Sequence, residues 1–100
     1  MTDKQRTQYN IRYTLDAWLC QRCGKPARMQ AHRIANTKVN RKVYGSKIID
    51  DNKNLVSVCC LECNDSYNIG NNPEKCKKLV KLIETRRYMK TNEIEEYLNE

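Results

Sequence analysis

The sequence has no phenylalanine, a single histidine and no apolar run longer than a few residues. At 100 residues a hydrophobic core alone is marginal, and small domains often add a metal ion or disulfides. No apolar segment with a cleavage site opens the chain, so we expect neither a secretory signal nor a membrane span. Internal repeats and low-complexity linkers are also lacking. These absences predict one small domain, residues 1–100, with a thin core, in the reducing cytoplasm.

Cysteine is abundant by contrast, with six residues. Clustered cysteines in a reducing compartment indicate structural Zn²⁺, because thiols there stay available as ligands. The pair Cys20 and Cys23 has a spacing that brings both sulfurs to one tetrahedral ion. The second pair must come from Cys59, Cys60 and Cys63. Cys60 and Cys63 repeat the first spacing, whereas Cys59 and Cys63 lie four apart, which also aligns two sulfurs on a helical turn. Spacing alone does not choose between them.

The net charge of +7 is unevenly distributed. The last ten residues, from Thr91 to Glu100, contain four glutamates and no base. The middle of the chain contains no acid and eight basic residues, namely Arg22, Lys25, Arg28, Arg33, Lys38, Arg41, Lys42 and Lys47. A face of this kind binds phosphates, which favours nucleic acid as a partner. The acidic tail allows a third class of function, an interaction protein, although a packed helix explains the same residues.

Hydrophobic periodicity gives a coarse plan of the elements. Apolar residues from Ile11 to Leu19 recur at helical spacing and predict an N-terminal helix over about residues 3–19. Two short strands are expected around Met29–Ile34 and Leu55–Val58. The segment 36–54 is predicted to be a long loop with at most a short strand at 47–49. Further helices are expected over 61–69 and, in two pieces, over about 74–99, the last one capped by Asn92.

Four short motifs in order carry a resemblance to a known family. They are "CQRCG", "AHRI", "NLVSVC" and "CN", and they lie within about residues 18–72. The chain resembles the HNH endonucleases, also called ββα-metal or His-Me finger nucleases, of phage or mobile-element type. The resemblance implies an α+β fold with a small zinc-stabilised ββα-metal core over about 18–72, flanked by N- and C-terminal helices. It also implies the cytoplasm of a bacterial or phage-infected host cell.

The resemblance also implies roles for individual residues. His32 corresponds to the general base and Asn54 to the asparagine that braces the loop. Asn64 takes the last motif position in an HNN variant, where it would bind a catalytic Mg²⁺ or Mn²⁺ together with Asn68. Cys59 is the expected third zinc ligand, because an extra residue at the knuckle leaves the strand register undisturbed. The expected zinc set is therefore Cys20, Cys23, Cys59 and Cys63.

The expected activity is hydrolysis of phosphodiester bonds in DNA, expected to be double-stranded, with one divalent metal ion. No base-reading element is recognisable, so sequence specificity should be low or supplied by a protein partner. Where relatives often have a metal-binding aspartate or histidine this chain has Ala31, which leaves only Asp50, Asp51 or Asp65 to supply a carboxylate. That departure favours the alternative, a non-catalytic zinc-stabilised nucleic-acid-binding module. In either case the expected phosphate contacts are Arg33, Lys38, Arg41 and Lys42.

Overall fold

A computed structural model of the chain describes residues 1–100. Its elements are α1 (Asp3–Leu15), β1 (Met29–His32), α2 (Lys38–Tyr44), α3 (Ser46–Ile49), β2 (Leu55–Val58), α4 (Leu61–Asp65), α5 (Pro73–Glu84) and α6 (Thr91–Leu98). A short 3-10 turn, Asn52–Asn54, precedes β2. None of the helices combines the length and the apolar character needed to cross a membrane. The expectation of a small α+β domain is confirmed.

The two strands form an antiparallel ribbon whose register runs from Met29 opposite Val58 to His32 opposite Leu55. α4 follows β2 and contacts both strands, while α1 contacts β2. Every residue of β2 is therefore buried. This two-sided cover also buries a polar side chain of β1, that of Gln30. Its amide donates to Ser57 across the ribbon at 2.8 Å.

The hydrophobic core is divided into two clusters. The larger joins α5 and α6 to the segment between the strands and contains Ile34, Ile49, Cys76, Leu79, Leu82, Ile83, Met89, Ile94 and Leu98. The smaller lies where the ribbon meets the cysteine turns and contains Cys20, Ala31, Val56, Val58 and Cys63. Because the smaller cluster has only three aliphatic residues, a metal on its cysteines would stabilise a region that apolar burial alone holds weakly.

The N-terminal helix ends earlier than the predicted residue 19. α1 stops at Leu15, and Ala17 and Trp18 then adopt left-handed backbone conformations with φ of 56° and 59°. Trp18 does not enter the core, since it is 54% exposed and stacks on Tyr13 with ring centroids 4.4 Å apart. The prediction that these apolar residues form the packing face of α1 is therefore wrong. The one buried residue of α1 is Arg12.

The segment 36–54 is not the predicted loop. It forms α2 and α3, separated by Gly45 at a φ of 85°. α2 begins where the hydroxyl of Thr37 accepts a hydrogen bond from the Asn40 backbone N–H at 3.1 Å. A threonine followed by lysine and asparagine is a weak helix signal in sequence, but this cap satisfies a free N–H at the helix start and favours the turn.

Two further helix boundaries differ from those predicted. α4 ends at Asp65, short of the expected residue 69, and the Ser66 hydroxyl donates to the Cys63 carbonyl at 2.6 Å. α6 begins one residue before Asn92, which is therefore not its cap. Instead the Glu93 carboxylate accepts from the Lys90 backbone N–H at 3.0 Å. The two predicted strands and the helix after Pro73 lie where the periodicity indicated.

Arg12 and Asp16, at the end of α1, together join three other parts of the chain to that helix. The buried Arg12 guanidinium donates to the Asn52 carbonyl at 2.9 Å and to the Met89 carbonyl at 2.9 Å, and it lies 3.6 Å from the Asp16 carboxylate. Asp16 in turn accepts from the Thr91 hydroxyl at 2.7 Å and from the Ser57 backbone N–H at 3.0 Å. Burial lowers the pKa of Arg12, and the Asp16 charge opposes that shift.

Replacing Arg12 with alanine should lower the free energy of unfolding by about 3–5 kcal/mol, because it leaves the buried Asp16 carboxylate without its positively charged partner. Urea unfolding with zinc in excess would measure this. Arg6→Ala is the matched control, since Arg6 on the same helix is exposed and its ion pair with Asp3 should contribute about 0–0.5 kcal/mol. Equal effects of the two substitutions would contradict the structural role of Arg12.

Candidate metal centre and active site

Four cysteines from two turns converge on one point. The sulfurs of Cys20, Cys23, Cys59 and Cys63 all lie within 4.8 Å of one another. The Cys23 and Cys59 sulfurs are 3.3 Å apart, and those of Cys59 and Cys63 are 3.8 Å apart. A tetrahedron of thiolates around Zn²⁺, with Zn–S bonds of about 2.3 Å, has edges of about 3.8 Å. The donor set and its spacing therefore fit a structural zinc, and the group contains Cys59 rather than Cys60.

Backbone hydrogen bonds hold the first cysteine turn against the ribbon. The Gln21 N–H donates to the Ser57 carbonyl at 3.0 Å, and the Arg28 N–H donates to the Val58 carbonyl at 2.9 Å. Within the turn the Gly24 N–H donates to the Cys20 carbonyl at 2.9 Å, and Gly24 has a φ of 79° that suits glycine. The turn is thus an extension of the β-ribbon, and the metal site is attached directly to β2, the strand that pairs with the one carrying His32.

His32 is the last residue of β1 and is half-buried. The ring of Tyr9 from α1 lies edge-on to it, with centroids 6.3 Å apart. Burial lowers the pKa of His32 below its ordinary value of 6.5; the Asp50 charge opposes this shift and the Arg41 charge adds to it. At neutral pH the imidazole is therefore uncharged, which is the form that can accept a proton.

Asn54 is fully buried and its carboxamide joins two distant parts of the chain. Its oxygen accepts from the Ile34 N–H at 2.8 Å, and its nitrogen donates to the Ile34 carbonyl at 3.1 Å and to the Ile49 carbonyl at 2.9 Å. Its own carbonyl accepts from the Arg33 N–H at 2.8 Å. These four bonds fix the chain just after His32 and close the segment that contains α2 and α3.

The two asparagines expected to hold a catalytic ion differ in their surroundings. Asn64 is half-buried within α4, and Asn68 is exposed beyond the end of that helix. The Asn68 side-chain oxygen already accepts from the Gly70 N–H at 2.6 Å. The four cysteines are the one group of three or more ionisable ligand side chains close enough to hold a metal. A second metal ion at Asn64 and Asn68 stays a prediction.

The candidate carboxylates are engaged elsewhere or exposed. Asp50 accepts a bidentate pair of bonds from Arg41 at 2.6 and 3.2 Å. Asp51 accepts from the Lys53 N–H at 2.8 Å, and Asp65 is exposed at the end of α4. Asp50 is the one of the three whose charge acts on His32. Together with Tyr9 it belongs to the surroundings of His32, and because the two lie on separate elements no local sequence pattern indicated this.

The four expected phosphate contacts do not form one group. Arg33 is fully buried, donates to the Leu55 carbonyl at 3.2 Å and pairs with Glu95 at 3.0 Å. This burial contradicts its expected role, and Arg33 instead ties α6 to the ribbon. Arg41 is half-buried against Asp50, whereas Lys38 and Lys42 are exposed on α2. Of the four expected contacts, only these two lysines are exposed and outside any ion pair.

Comparison of the chain with protein-family models, with curated proteins and with solved structures finds no match. Its function therefore has to follow from the site itself.

Purified protein should contain about one zinc per chain, and Cys59→Ser should lose it together with much of the folding stability, because metal binding and folding are linked. Cys60→Ser is the matched control, since this neighbouring thiol is exposed and outside the group. Elemental analysis after dialysis, with thermal unfolding, measures both quantities. Zinc retained by the Cys59 variant and lost by the Cys60 variant would reverse the assignment.

Proposed function

We propose that this protein is a DNA endonuclease of the ββα-metal type, stabilised by zinc on Cys20, Cys23, Cys59 and Cys63. The observation that carries the proposal is the adjacency of two motif residues across the ribbon. His32 pairs with Leu55, and Asn54, the residue before Leu55, bonds to the chain just after His32. A base at a strand end, braced by a buried asparagine and followed by a helix against both strands, is the arrangement that the resemblance to the HNH endonucleases implies.

In the proposed reaction His32 acts as the general base. Its imidazole is uncharged at neutral pH because burial lowers its pKa, so it can take a proton from the water that attacks the phosphorus. The P–O bond to the 3′ oxygen breaks as the new P–O bond forms, and the departing 3′ oxygen takes a proton from solvent. Asn54 keeps the chain after His32 in one conformation and so restricts where the ring can point. Asn64, with Asn68, would hold Mg²⁺ or Mn²⁺, whose oxygen preference suits carboxamides. When bound, that ion would supply charge stabilisation at the phosphate.

The second candidate is a zinc-stabilised nucleic-acid-binding module without catalysis. It is favoured by the residue before His32, which is a fully buried Ala31, and by the pairing of Asp50 with Arg41. Both leave the neighbourhood of His32 without a free carboxylate for a metal. The two candidates share the zinc and the binding of DNA, and they differ only in whether a bond is cut.

His32→Ala should abolish Mg²⁺- or Mn²⁺-dependent nicking of a supercoiled plasmid, by about two to four orders of magnitude in rate, because it removes the proton acceptor. Zinc content and DNA affinity should stay unchanged. Asn64→Ala should also slow nicking, but raising the divalent ion concentration should partly restore it, since a ligand rather than the base is lost. Asn71→Ala, an exposed asparagine in the turn before α5, serves as the control.

If wild-type protein holds zinc and binds DNA, yet cuts neither single- nor double-stranded substrates with either ion, the endonuclease proposal is wrong. The non-catalytic binding module then takes its place.

The protonation of His32 gives an independent check, because it is the only histidine and yields a single set of imidazole signals by NMR. The titration midpoint should lie below the ordinary 6.5. Since the protonated ring cannot accept a proton, the nicking rate should fall on the acid side of that same midpoint and be level above it. Asp50→Asn removes the charge that raises this pKa and should move the midpoint lower still, whereas Asp65→Asn should not. A midpoint above 6.5 would contradict the buried neutral base.

A further inference from the structure

One side of α2 packs against the protein through three of its seven residues. Asn40, Arg41 and Tyr44 are half-buried. The Asn40 amide donates to the Ala35 carbonyl at 2.8 Å, Arg41 is paired with Asp50, and Tyr44 packs against the larger core. The orientation of the helix is therefore fixed by contacts along its whole length.

The opposite side of α2 is split lengthways into a basic and an apolar half. At about 100° per residue, its four exposed residues cover one continuous arc of about 140°. Lys38 and Lys42 form one edge of the arc, and Val39 and Val43 form the other. The valines are 71% and 68% exposed, among the most exposed large apolar residues of the chain.

The packing of the folded protein does not explain why positions 39 and 43 carry valine. Single exposed apolar residues are normal on protein surfaces, but these two are neighbours at i and i+4 on a helix that begins six residues after His32. Valine is also a poorer helix former than the charged residues that would keep this face soluble. Binding of a partner to the exposed face of α2 accounts for both valines.

We infer that α2 lies in the major groove of duplex DNA, with Val39 and Val43 against thymine methyl groups and Lys38 and Lys42 on the phosphates of one flanking strand. This inference rests on the proposed action on DNA and adds the element that reads it. A helix is about 10–12 Å across and fits the major groove, which is about 12 Å wide. Apolar side chains recognise the thymine methyl, which only that groove displays.

The charge around α2 favours a polyanion as the binding partner of its exposed face. No acidic residue lies between Arg22 and Ile49, and the one carboxylate that contacts α2, that of Asp50, is neutralised by Arg41. The two exposed lysines lie about 6 Å apart along the helix axis, close to two nucleotide rises of about 3.4 Å on one strand. A basic edge beside an apolar edge matches a phosphate backbone beside the methyl groups of the groove.

The conformation of α2 is also fixed in the free protein, before DNA binds. Thr37 caps its start and Gly45 ends it, at a φ of 85°. Arg41 donates to the Asn36 side chain at 2.6 Å as well as to Asp50, which anchors the middle of the helix. A rigid helix loses little conformational entropy on binding, so even two valines can give measurable discrimination.

The test pairs changes in the protein with removal of methyl groups from the DNA. Binding of a thymine-rich duplex and of the same duplex with uracil in place of thymine is measured by fluorescence anisotropy at fixed salt. Wild-type protein should bind the uracil duplex about three- to fourfold more weakly for each methyl contacted. The double variant Val39→Ser and Val43→Ser should bind both duplexes equally, at about the affinity of wild type for the uracil duplex.

Two control variants separate this effect from general losses. Leu61→Ser removes an aliphatic side chain of equal exposure, 68%, from α4 and should keep the thymine preference. Lys38→Gln with Lys42→Gln should weaken binding to both duplexes alike and reduce the salt slope by about 1 per lysine, again with the preference intact. Unchanged zinc content and circular dichroism confirm that every variant is folded.

A wild-type protein that binds both duplexes equally, with valine variants that bind as well as wild type, would overturn the inference and leave the endonuclease proposal standing. Wild-type protein that dimerises through Val39 and Val43, shown by monomeric serine variants in sedimentation, would assign the face to a second copy and also overturn it. No binding to any DNA by zinc-loaded protein would overturn the proposed function itself.

Discussion

The buried Arg12 guanidinium, paired with Asp16, is the interaction on which the rest of the fold depends. In a chain without phenylalanine, two small apolar clusters cannot hold six helices and a ribbon together. Through this pair α1 bonds to the 3-10 turn, to β2 and to the start of α6. Arg33 likewise ties the middle of α6 to β2, through Glu95 and the Leu55 carbonyl. Polar cross-links therefore replace part of a core, and breaking one is costly where it leaves a buried charge without its counter-charge.

The zinc site and the candidate active site share one rigid piece of structure. The first cysteine turn bonds to β2, the second follows β2 directly, and β1 carries His32 at its far end. Metal binding at the four cysteines would order both turns and with them the start of the ribbon. His32 and Asn54 lie at the other end of the same strands, so a protein without zinc would lose the geometry of its base even though neither residue touches the metal. A structural ion on the four cysteines would thus act on the proposed function only through the strand register.

Local sequence patterns predict the elements that depend on neighbouring residues. They fail where contacts outside the apolar pattern determine the structure. The two strands, α5 and the four-cysteine group each follow from local spacing, and Cys59 follows from keeping the ribbon in register. Arg33 was assigned to phosphate because it lies in a basic segment, yet Glu95, far along the chain, pairs with it in the interior. α2 is not predicted because its helix depends on the Thr37 cap and on Arg41 reaching Asp50, nine residues on, and apolar periodicity detects neither of these polar contacts. Arg33 differs, because its partner Glu95 lies 62 residues away, outside any local window of sequence.

The pKa of His32 is determined by burial more than by any one charge. Asp50 and Arg41 act on the imidazole with opposite signs, and because they are paired with each other at 2.6 Å their fields largely cancel. Desolvation then dominates, and it favours the neutral ring. A neutral base, two carboxamides and no free carboxylate leave the proposed site without negative charge of its own. In that setting the first strong attraction for a divalent cation comes from the phosphate of the nucleic acid, so binding of the ion and of the substrate must reinforce one another.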